Sequence, residues 1–333
     1  MFRRRVCAAL LVWTLGLSGL VAVAGPIDDI VAGVSQASYT SYLNDSLYTH
    51  TGDNRGIGGT EHDPARTNIY STLASFGLAT TLDPFTYSGS TYYNVVAVKP
   101  GANAASGTYI VGAHYDSYNN PGADDNASGV AGVLEAARVL SQYTFASTLV
   151  FIAFDREEQG LHGSNAYATA HAGDDIDGMI SLDMISYNPA GADHDTALIY
   201  GRTASDSIKQ ALADAIALYG GGVTSSIQGQ LDASDHAPFE WRGFQACLLI
   251  EGAVSSNPYY HQLTDNVDMS GYIDYLYATN MTRAATGYLA TAADLVQGDV
   301  QIPEPNCALF LAALVLAKFT RRRRRAGSAR PAA

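Results

Sequence analysis

Cysteine is scarce in this sequence of 333 residues, which contains three. Cys7 and Cys307 lie near the two ends, and Cys247 stands inside an apolar stretch at 246–250. A lone cysteine in an apolar strand is expected to pack in the core. The composition therefore excludes a fold held together by a disulfide framework.

Basic residues are scarce as well, with 19 lysines and arginines against 32 acidic residues and a formal net charge of −13. Ten of the basic residues fall at positions 1–24 or 301–333, so about nine face about 31 acidic residues in between. The central part of the chain then carries a charge of roughly −22. A surface of this sign repels nucleic acid and anionic lipid, which excludes nucleic acid as a partner.

Residues 1–24 have the organisation of a secretory signal peptide. Arginines at 3–5 precede an apolar stretch at 6–23, and Ala22-Val23-Ala24 offers small residues for cleavage. This pattern predicts export and removal of the segment by signal peptidase. A membrane anchor is the alternative, and the arginine pair leaves twin-arginine export open.

Residues 301–333 form a second processing segment. Pro303-Glu304-Pro305 precedes a short apolar run at 307–317 and arginines at 321–325. The run is shorter than the roughly 20 residues of a comfortable span, and the basic block is expected on the cytoplasmic side. The three parts resemble a PEP-CTERM sorting signal. That resemblance implies removal by an exosortase and a bacterial envelope or extracellular location, with a transient or retained inner-membrane tail; a simple tail anchor is the alternative.

The chain between these segments, 25–300, is expected to form one catalytic domain in which strand-like and helix-like stretches alternate. Strands are predicted at 92–99, 109–113, 148–154, 179–184, 197–200 and 246–250. Helices are predicted at 64–76, 127–140, 205–218 and 273–295. Near-continuous apolar strands separated by amphipathic helices predict an α/β sandwich with a mainly parallel sheet.

Five residues that can bind a metal lie in five separate segments, each near a point where a predicted strand runs into a loop. They are His114, Asp125, Glu158, Asp183 and His261. In open α/β sheets, ligands bind beyond the carboxyl ends of the strands, so these side chains are expected to converge. Two imidazoles and three carboxylates suit zinc, and three carboxylates with a bridging hydroxide balance two divalent cations.

Most of these positions have a plain alternative when taken alone. A helix N-cap explains an acidic or amide residue at 124–126. A solvated loop explains Glu157 and Glu158, and His261 could be an ordinary loop histidine. Asp183 resists such an explanation, because a carboxylate inside an apolar strand must be paired or ligated.

Asp116 is a candidate for orienting one of the ligands. It follows His114 by two positions at the end of a predicted strand, and strand side chains two apart point the same way. A metal-bound imidazole usually gives its other N–H to a carboxylate, which Asp116 could supply.

Six motifs resemble, in order and spacing, the dizinc aminopeptidases of the bacterial leucyl aminopeptidase type, relatives of glutamate carboxypeptidase and the transferrin receptor in the MH clan. The motifs are GAHYDS, GADDNASG, REEQGLHGS, SLDMIS, SDHAPF and YYHQLTDN. The resemblance covers roughly residues 27–295. It implies a three-layer α/β sandwich of the zinc exopeptidase type, with a mixed, mainly parallel central sheet flanked by helices.

The resemblance also implies roles for individual residues around two Zn²⁺ ions. His114 and Asp183 would hold one zinc, Glu158 and His261 the other, and Asp125 would bridge them. Glu157 matches the general base, Asp116 the carboxylate behind the ligands, and Tyr260 a tyrosine that hydrogen-bonds the developing oxyanion. Asp232-Ala233 stands where some members carry an arginine, so contacts made by that arginine are not transferred.

The expected activity is aminopeptidase cleavage of peptides with a free N-terminus. Carboxypeptidases need cations for the substrate carboxylate, and Arg156 and Arg202 are the only basic residues near the predicted site. A glutaminyl cyclase-like acyltransferase and a non-catalytic binding module of the same fold are the alternatives; the complete ligand set argues against both.

Several polar residues are expected to have structural roles. Asp235 and His236 stand at a predicted helix start, where a hydrogen-bonded cap would explain them. The histidines that fit no ligand position are expected at the surface or in loops: His50, His62, His162, His171 and His194.

Overall fold

The computed structural model describes residues 25–296. Its sheet has eight strands: β1 (Ala79–Tyr87), β2 (Ser90–Lys99), β3 (Thr108–His114), β4 (Thr148–Phe154), β5 (Ile176–Leu182), β6 (Thr196–Tyr200), β7 (Thr224–Ile227) and β8 (Ala246–Glu251). The α-helices are α1 (Pro26–Ala32), α2 (Gln36–Ser41), α3 (His62–Ser75), α4 (Gly129–Leu140), α5 (His162–Ala170), α6 (Asp206–Tyr219), α7 (Ala237–Glu240) and α8 (Tyr275–Ala292).

The strand order across the sheet is β1-β2-β4-β3-β5-β8-β6-β7. The four central strands β4, β3, β5 and β8 are parallel to one another, and β6 is parallel to β7. The pairings β1–β2, β2–β4 and β6–β8 are antiparallel. The sheet is therefore mixed and mainly parallel, and the predicted fold class is confirmed.

Helices cover both faces of the sheet, which gives three layers. The larger core includes residues of α1, α3, α4, α6 and α8 against one face, and a smaller core includes residues of α5 and α7 against the other. Successive strand residues alternate between the cores: Val95 and Ala97 of β2 belong to the larger one and Val96 to the smaller. Cys247 of β8 is fully buried in the larger core, as predicted.

The elements without a counterpart among the sequence predictions include β1, β7 and α5. Strand β1 is an edge strand with mostly exposed side chains and a proline, so it lacks the apolar run that marks a central strand. Strand β7 is short and polar, and α5 is rich in small and polar residues. None of these segments has a strong apolar period.

None of the helices within residues 25–296 has the length and apolar character that crossing a bilayer requires. The sorting segment predicted at 301–333 and the signal peptide predicted at 1–24 lie outside the described residues.

Candidate metal centre

Three of the predicted ligands stand at the carboxyl ends of three neighbouring parallel strands. His114 is the last residue of β3, Asp183 directly follows β5, and Glu158 lies shortly after β4. The other two come from loops, Asp125 from the irregular segment before α4 and His261 from the segment between β8 and α8. The sheet therefore brings all five side chains to one edge.

Asp125 lies between the two imidazoles. Its Oδ1 is 3.4 Å from Nε2 of His114, and its Oδ2 is 3.2 Å from Nε2 of His261. The same His114 nitrogen is 3.6 Å from Oδ1 of Asp183, and the His261 nitrogen is 3.1 Å from Oε2 of Glu158. Two donors bound to one tetrahedral zinc are about 3.3 Å apart, so these spacings fit an ion on either side of Asp125.

Two carboxylate oxygens in this cluster are buried without a hydrogen-bond partner among the described residues. They are Oδ2 of Asp125 and Oε1 of Glu158. A buried polar atom is normally satisfied, and an orphaned carboxylate oxygen in a ligand cluster fits a site built for a cation. The donor set of imidazole nitrogens and carboxylate oxygens fits zinc.

Glu157 lies on the same side of the site as His114 and Asp183. Ligand atoms of these three residues are all within 4.8 Å of one another, as are those of His114, Asp125 and Glu158. On distance alone, Glu157 could therefore hold a metal or act on a water beside it. The structure brings Glu157 into the cluster without separating these two roles.

The buried charges shift the pKa values in the cluster. Burial, together with the charge of Asp125, raises the pKa of Glu158 to about 7. Burial favours the neutral ring of His261, but its close contacts with Asp125 and Glu158 outweigh this and raise its pKa to about 10. Burial also opposes ionisation of Asp125, yet its contacts with His114 and His261 lower its pKa. In the metal-free fold, a protonated imidazole therefore supplies the positive charge that a bound metal would supply.

Asp116 holds the turn that carries the two glutamates. It is fully buried, and its Oδ1 and Oδ2 accept the backbone N–H groups of Glu157 at 3.1 Å and Glu158 at 3.3 Å. The nearer partner of His114 Nδ1 is the backbone carbonyl of Asp116 at 3.1 Å, while the Asp116 carboxylate lies 3.6 Å away. The expected contact between carboxylate and imidazole is thus longer than a hydrogen bond, and the carboxylate's hydrogen bonds go to the glutamate turn.

His261 lies between two tyrosine rings. Tyr260 stacks on it with centroids 3.9 Å apart, and Tyr118 stacks with centroids 4.1 Å apart and ring planes at 8°. Burial and the charges of Asp125 and Glu158 raise the pKa of the Tyr260 phenol, so it stays protonated and can donate a hydrogen bond. Sequence analysis missed Tyr118, because no spacing rule links it to His261.

The cluster lines one end of a cavity of about 130 Å³. The remaining wall is largely apolar and includes Met184, Leu231, Leu248, Ile250 and Val254. A dry apolar cavity of about 150 Å³ holds a benzene ring, so this one suits a single apolar side chain. No lysine or arginine is among its lining residues.

A model of peptidase family M28 matches residues 94–286, more than half of the chain and the whole span from His114 to His261. The chain belongs to peptidase family M28. This M28 chain is 33% identical over 236 residues to leupeptin-inactivating enzyme 1 of Streptomyces exfoliatus, covering 68% of this chain and 50% of that protein. It is 29% identical over 218 residues to a probable leucine aminopeptidase of Arthroderma otae, covering 60% and 57%. It spans about half the length of these curated relatives.

Several solved aminopeptidase structures are similar to the M28 chain. An aminopeptidase from Aneurinibacillus sp. strain AM-1 is 31% identical with a TM-score of 0.52, covering 64% of this chain and 51% of that one. A zinc aminopeptidase from Bacillus subtilis is 26% identical with a TM-score of 0.55, covering 63% and 54%. LapA aminopeptidase of Legionella pneumophila shares the fold, at 22% identity and a TM-score of 0.68 over 81% and 75%.

The SDH motif of this M28 chain differs from expectation. Neither Asp235 nor His236 caps α7, and neither side chain makes a hydrogen bond of ordinary geometry within the described residues. The predicted cap is therefore wrong. Asp235 instead adds its charge to those that raise the pKa of Glu157, after burial itself, and burial raises its own pKa to about 7. His62, expected at the surface or in a loop, is buried and 6% exposed.

Ser234 is a second residue that sequence analysis missed. Its hydroxyl donates a hydrogen bond of 2.7 Å to Oδ2 of Asp183, the oxygen turned away from His114. A ligand carboxylate held in this way keeps its other oxygen on the metal side. The serine directly precedes Asp235 in the SDH motif, which is the one signal that could have indicated it.

Neither candidate cation is available to the cavity. Arg202 forms ion pairs of 2.8 Å with Glu240 and 2.7 Å with Asp232. Arg156 packs over the ring of Tyr92 and lines a different pocket. Asp232, at the position of the arginine in some relatives, is thus the partner of Arg202.

Proposed function

We propose that this chain is an exported dizinc aminopeptidase that removes an N-terminal residue from peptides. The observation that carries the proposal is the position of Asp125, whose two oxygens face two different imidazoles, each with a further carboxylate beside it. His114 and Asp183 would hold one zinc, Glu158 and His261 the other, and Asp125 both. The zinc aminopeptidase of Bacillus subtilis supports zinc as the metal.

Zinc bound in such a site would act as a Lewis acid and would lower the pKa of a water to near neutrality. The chain's own groups then move the proton. Glu157 is partly buried beside His114 and Asp183, and its raised pKa suits a base that takes a proton and passes it to the leaving amine. Asp116 accepts a hydrogen bond from the backbone N–H of Glu157, which holds the turn that carries this side chain.

Tyr260 is suited to stabilise the charge that develops on the carbonyl oxygen. Its ring is held against His261, and its phenol stays protonated at neutral pH, so its O–H can donate to an oxyanion. A donor fixed before the reaction needs no reorganisation as the charge appears.

The cavity favours a free α-amine with an apolar side chain. The carboxylates of Glu157 and Glu158 attract a protonated amine. The apolar part of the cavity wall, which includes Met184 and Val254, accepts the side chain. A carboxypeptidase would need a cation for the substrate carboxylate, and the lining residues include none. These features support aminopeptidase over carboxypeptidase activity.

The test is zinc analysis of the purified protein together with a substrate screen. We expect two zinc ions per chain and turnover of leucyl arylamides, with N-acetyl-leucyl arylamides almost inert because acetylation removes the positive charge. One zinc with cyclisation of N-terminal glutamine would indicate a glutaminyl cyclase. Preferred cleavage of acetylated peptides with a free C-terminus would indicate a carboxypeptidase, and zinc without turnover would indicate a binding module.

We further propose that residues 1–24 direct export and are removed by signal peptidase, and that residues 301–333 are recognised and removed by an exosortase. The arginines, apolar stretch and small residues at 1–24 support export. The order of Pro303-Glu304-Pro305, apolar run and arginine block at 301–333 supports removal by an exosortase.

A further inference from the structure

A second polar pocket lies beside β2 and the start of α3. Its volume is about 320 Å³, and it shares no lining residue with the metal cavity. Two arginines, Arg66 and Arg156, line it together with the backbone of a glycine-rich loop at 56–59. The chain has a net charge of −13, so a pocket lined by two guanidinium groups differs in charge from most of the surface.

Arg156 is buried but incompletely paired. It is 4% exposed, and its Nε has no hydrogen-bond partner among the described residues. The nearest carboxylate, Oδ1 of Asp155, is 3.7 Å from that nitrogen, and Nη1 makes one long bond of 3.3 Å to Gln159. The guanidinium lies over the ring of Tyr92, with 4.1 Å between Cζ and the ring centroid. A buried donor without a partner is costly, and a ligand acceptor would remove that cost.

Arg66 approaches the same pocket from the first turns of α3. Its guanidinium lies 5.2 Å from the ring centroid of Tyr93, the residue next to Tyr92 on β2. One nitrogen pairs with Asp63 at 2.9 Å, and the side chain is 18% exposed, so further donors remain available. Each arginine thus packs against an aromatic ring of β2, and both line the same pocket.

The charges around the pocket are balanced when His62 is neutral and net positive when its ring is protonated. Asp63 and Asp155 offset the two arginines, and His62 lies between both carboxylates at 3.1 and 2.8 Å. Burial opposes a charge on His62, but its hydrogen bond to Asp155 outweighs this and raises its pKa. When the imidazole is protonated, three cations face two anions.

The glycine loop gives the pocket a wall without side chains. Gly58 has φ +78°, which favours glycine, and a Cβ on Gly59 would lie 2.0 Å from the carbonyl oxygen of Asn54. A ligand can therefore approach the backbone closely along this wall.

We propose that this pocket binds a small oxyanion between the guanidinium groups of Arg66 and Arg156. Planar guanidinium groups match the oxygen spacing of carboxylates and tetrahedral oxyanions, and Arg156 has an unused donor for such a group. The ligand is either a free inorganic anion or the terminal carboxylate of a short peptide. The site is independent of the proposed peptidase activity.

The experiment is a titration of the purified protein with its metal bound, using inorganic sulfate and separately N-acetylglycine and its amide. An anion that binds at the metal centre instead would bind equally well to the arginine variants described below. We expect saturable binding by calorimetry and a rise in the melting temperature with sulfate for a free-anion site. Binding of N-acetylglycine but not of its amide or sulfate would identify a terminal carboxylate as the ligand.

Variants decide whether the binding belongs to this pocket. Arg66→Gln and Arg156→Gln should each weaken it at least about tenfold, because each removes a charged hydrogen-bond donor. Arg283→Gln, on α8 with a hydrogen bond to Asn280, is the matched control and should bind as the wild type does. Absence of binding by either anion in the wild type, or equal affinity in all three variants, would overturn the proposal. Arg66 is partly exposed, so Arg66→Gln carries the test if Arg156→Gln does not fold.

Discussion

The ring of Tyr118 lies parallel to the imidazole of His261, with centroids 4.1 Å apart and planes at 8°. The tyrosine is half exposed, while Nε2 of the histidine lies 3.1 Å from Glu158 in the candidate metal centre. One face of a predicted ligand is thus covered by an aromatic ring.

Tyr118→Ala should weaken zinc binding at the His261 side of the centre. Removing the stacked ring frees the imidazole to rotate, and loss of such a supporting contact typically costs about 10- to 100-fold in metal affinity. Tyr118→Phe keeps the ring and is the control, with an affinity within about twofold of wild type. Competition with a chromophoric chelator measures both; equal loss in the two variants would implicate the hydroxyl instead.

Glu157→Gln should retain near-full zinc and lose at least about 100-fold in kcat, within the range for removal of a general base. The amide keeps the size of the side chain but cannot accept the proton. Glu158→Gln is the comparison and should lose zinc. If the zinc contents of the two variants are reversed, the roles of the two glutamates are exchanged.

Asp125→Ala should lower the zinc content at both positions and the melting temperature of the zinc-loaded protein. One carboxylate faces both imidazoles, and bound metal stabilises a fold by mass action. Asp29→Ala, an exposed change on α1, is the control. An unchanged zinc stoichiometry in Asp125→Ala would contradict the bridging role.

Zinc affinity should rise with pH between about 6.5 and 8.5. The pKa of His261 is raised to about 10 in the metal-free fold, against about 6.5 when unfolded. The stabilisation that the protonated ring gives the metal-free fold is fully present below about pH 6.5 and is lost as pH rises through about 10. Because zinc needs the neutral ring, binding at pH 7 should release protons. Calorimetry in two buffers of different ionisation enthalpy measures this release; a pH-independent affinity would argue against a protonated apo site.

The tail prediction concerns processing. Mass spectrometry of envelope or extracellular material should find a C-terminus near residues 303–306, because the arginines at 321–325 are costly to move across a bilayer and stay behind. Replacing Pro303-Glu304-Pro305 with alanines should leave an uncleaved, membrane-retained form. Intact protein ending at Ala333 in the wild-type envelope would favour a simple anchor.

The sequence predicted the parts of the site that depend on strand ends. His114, Asp183 and the glutamate pair follow apolar runs, and parallel strands place their carboxyl ends at one edge, so convergence could be inferred without coordinates. The fold class could be predicted from the same apolar runs. The individual roles within the cluster were predicted from the family resemblance.

The remaining parts depend on contacts between segments distant in sequence. Tyr118 and His261 meet only because two loops fold over the same sheet edge. The apolar wall of the cavity joins Met184 after β5 to Ile250 on β8, and neither residue differs in sequence from ordinary core. The prediction that Asp235 caps a helix was wrong. Its side chain is buried in the interior beside the cluster and makes no hydrogen bond to the start of α7.

The dispersal of the ligands over three strands and two loops also determines when this protein can acquire its metal. An extended chain contains no pair of these donors close enough to chelate an ion, so metal affinity appears only once the whole sheet is ordered. A polypeptide that crosses a membrane unfolded would therefore arrive without metal. Its hydrolytic competence would begin in the compartment where folding ends, with the local supply of zinc acting as the switch.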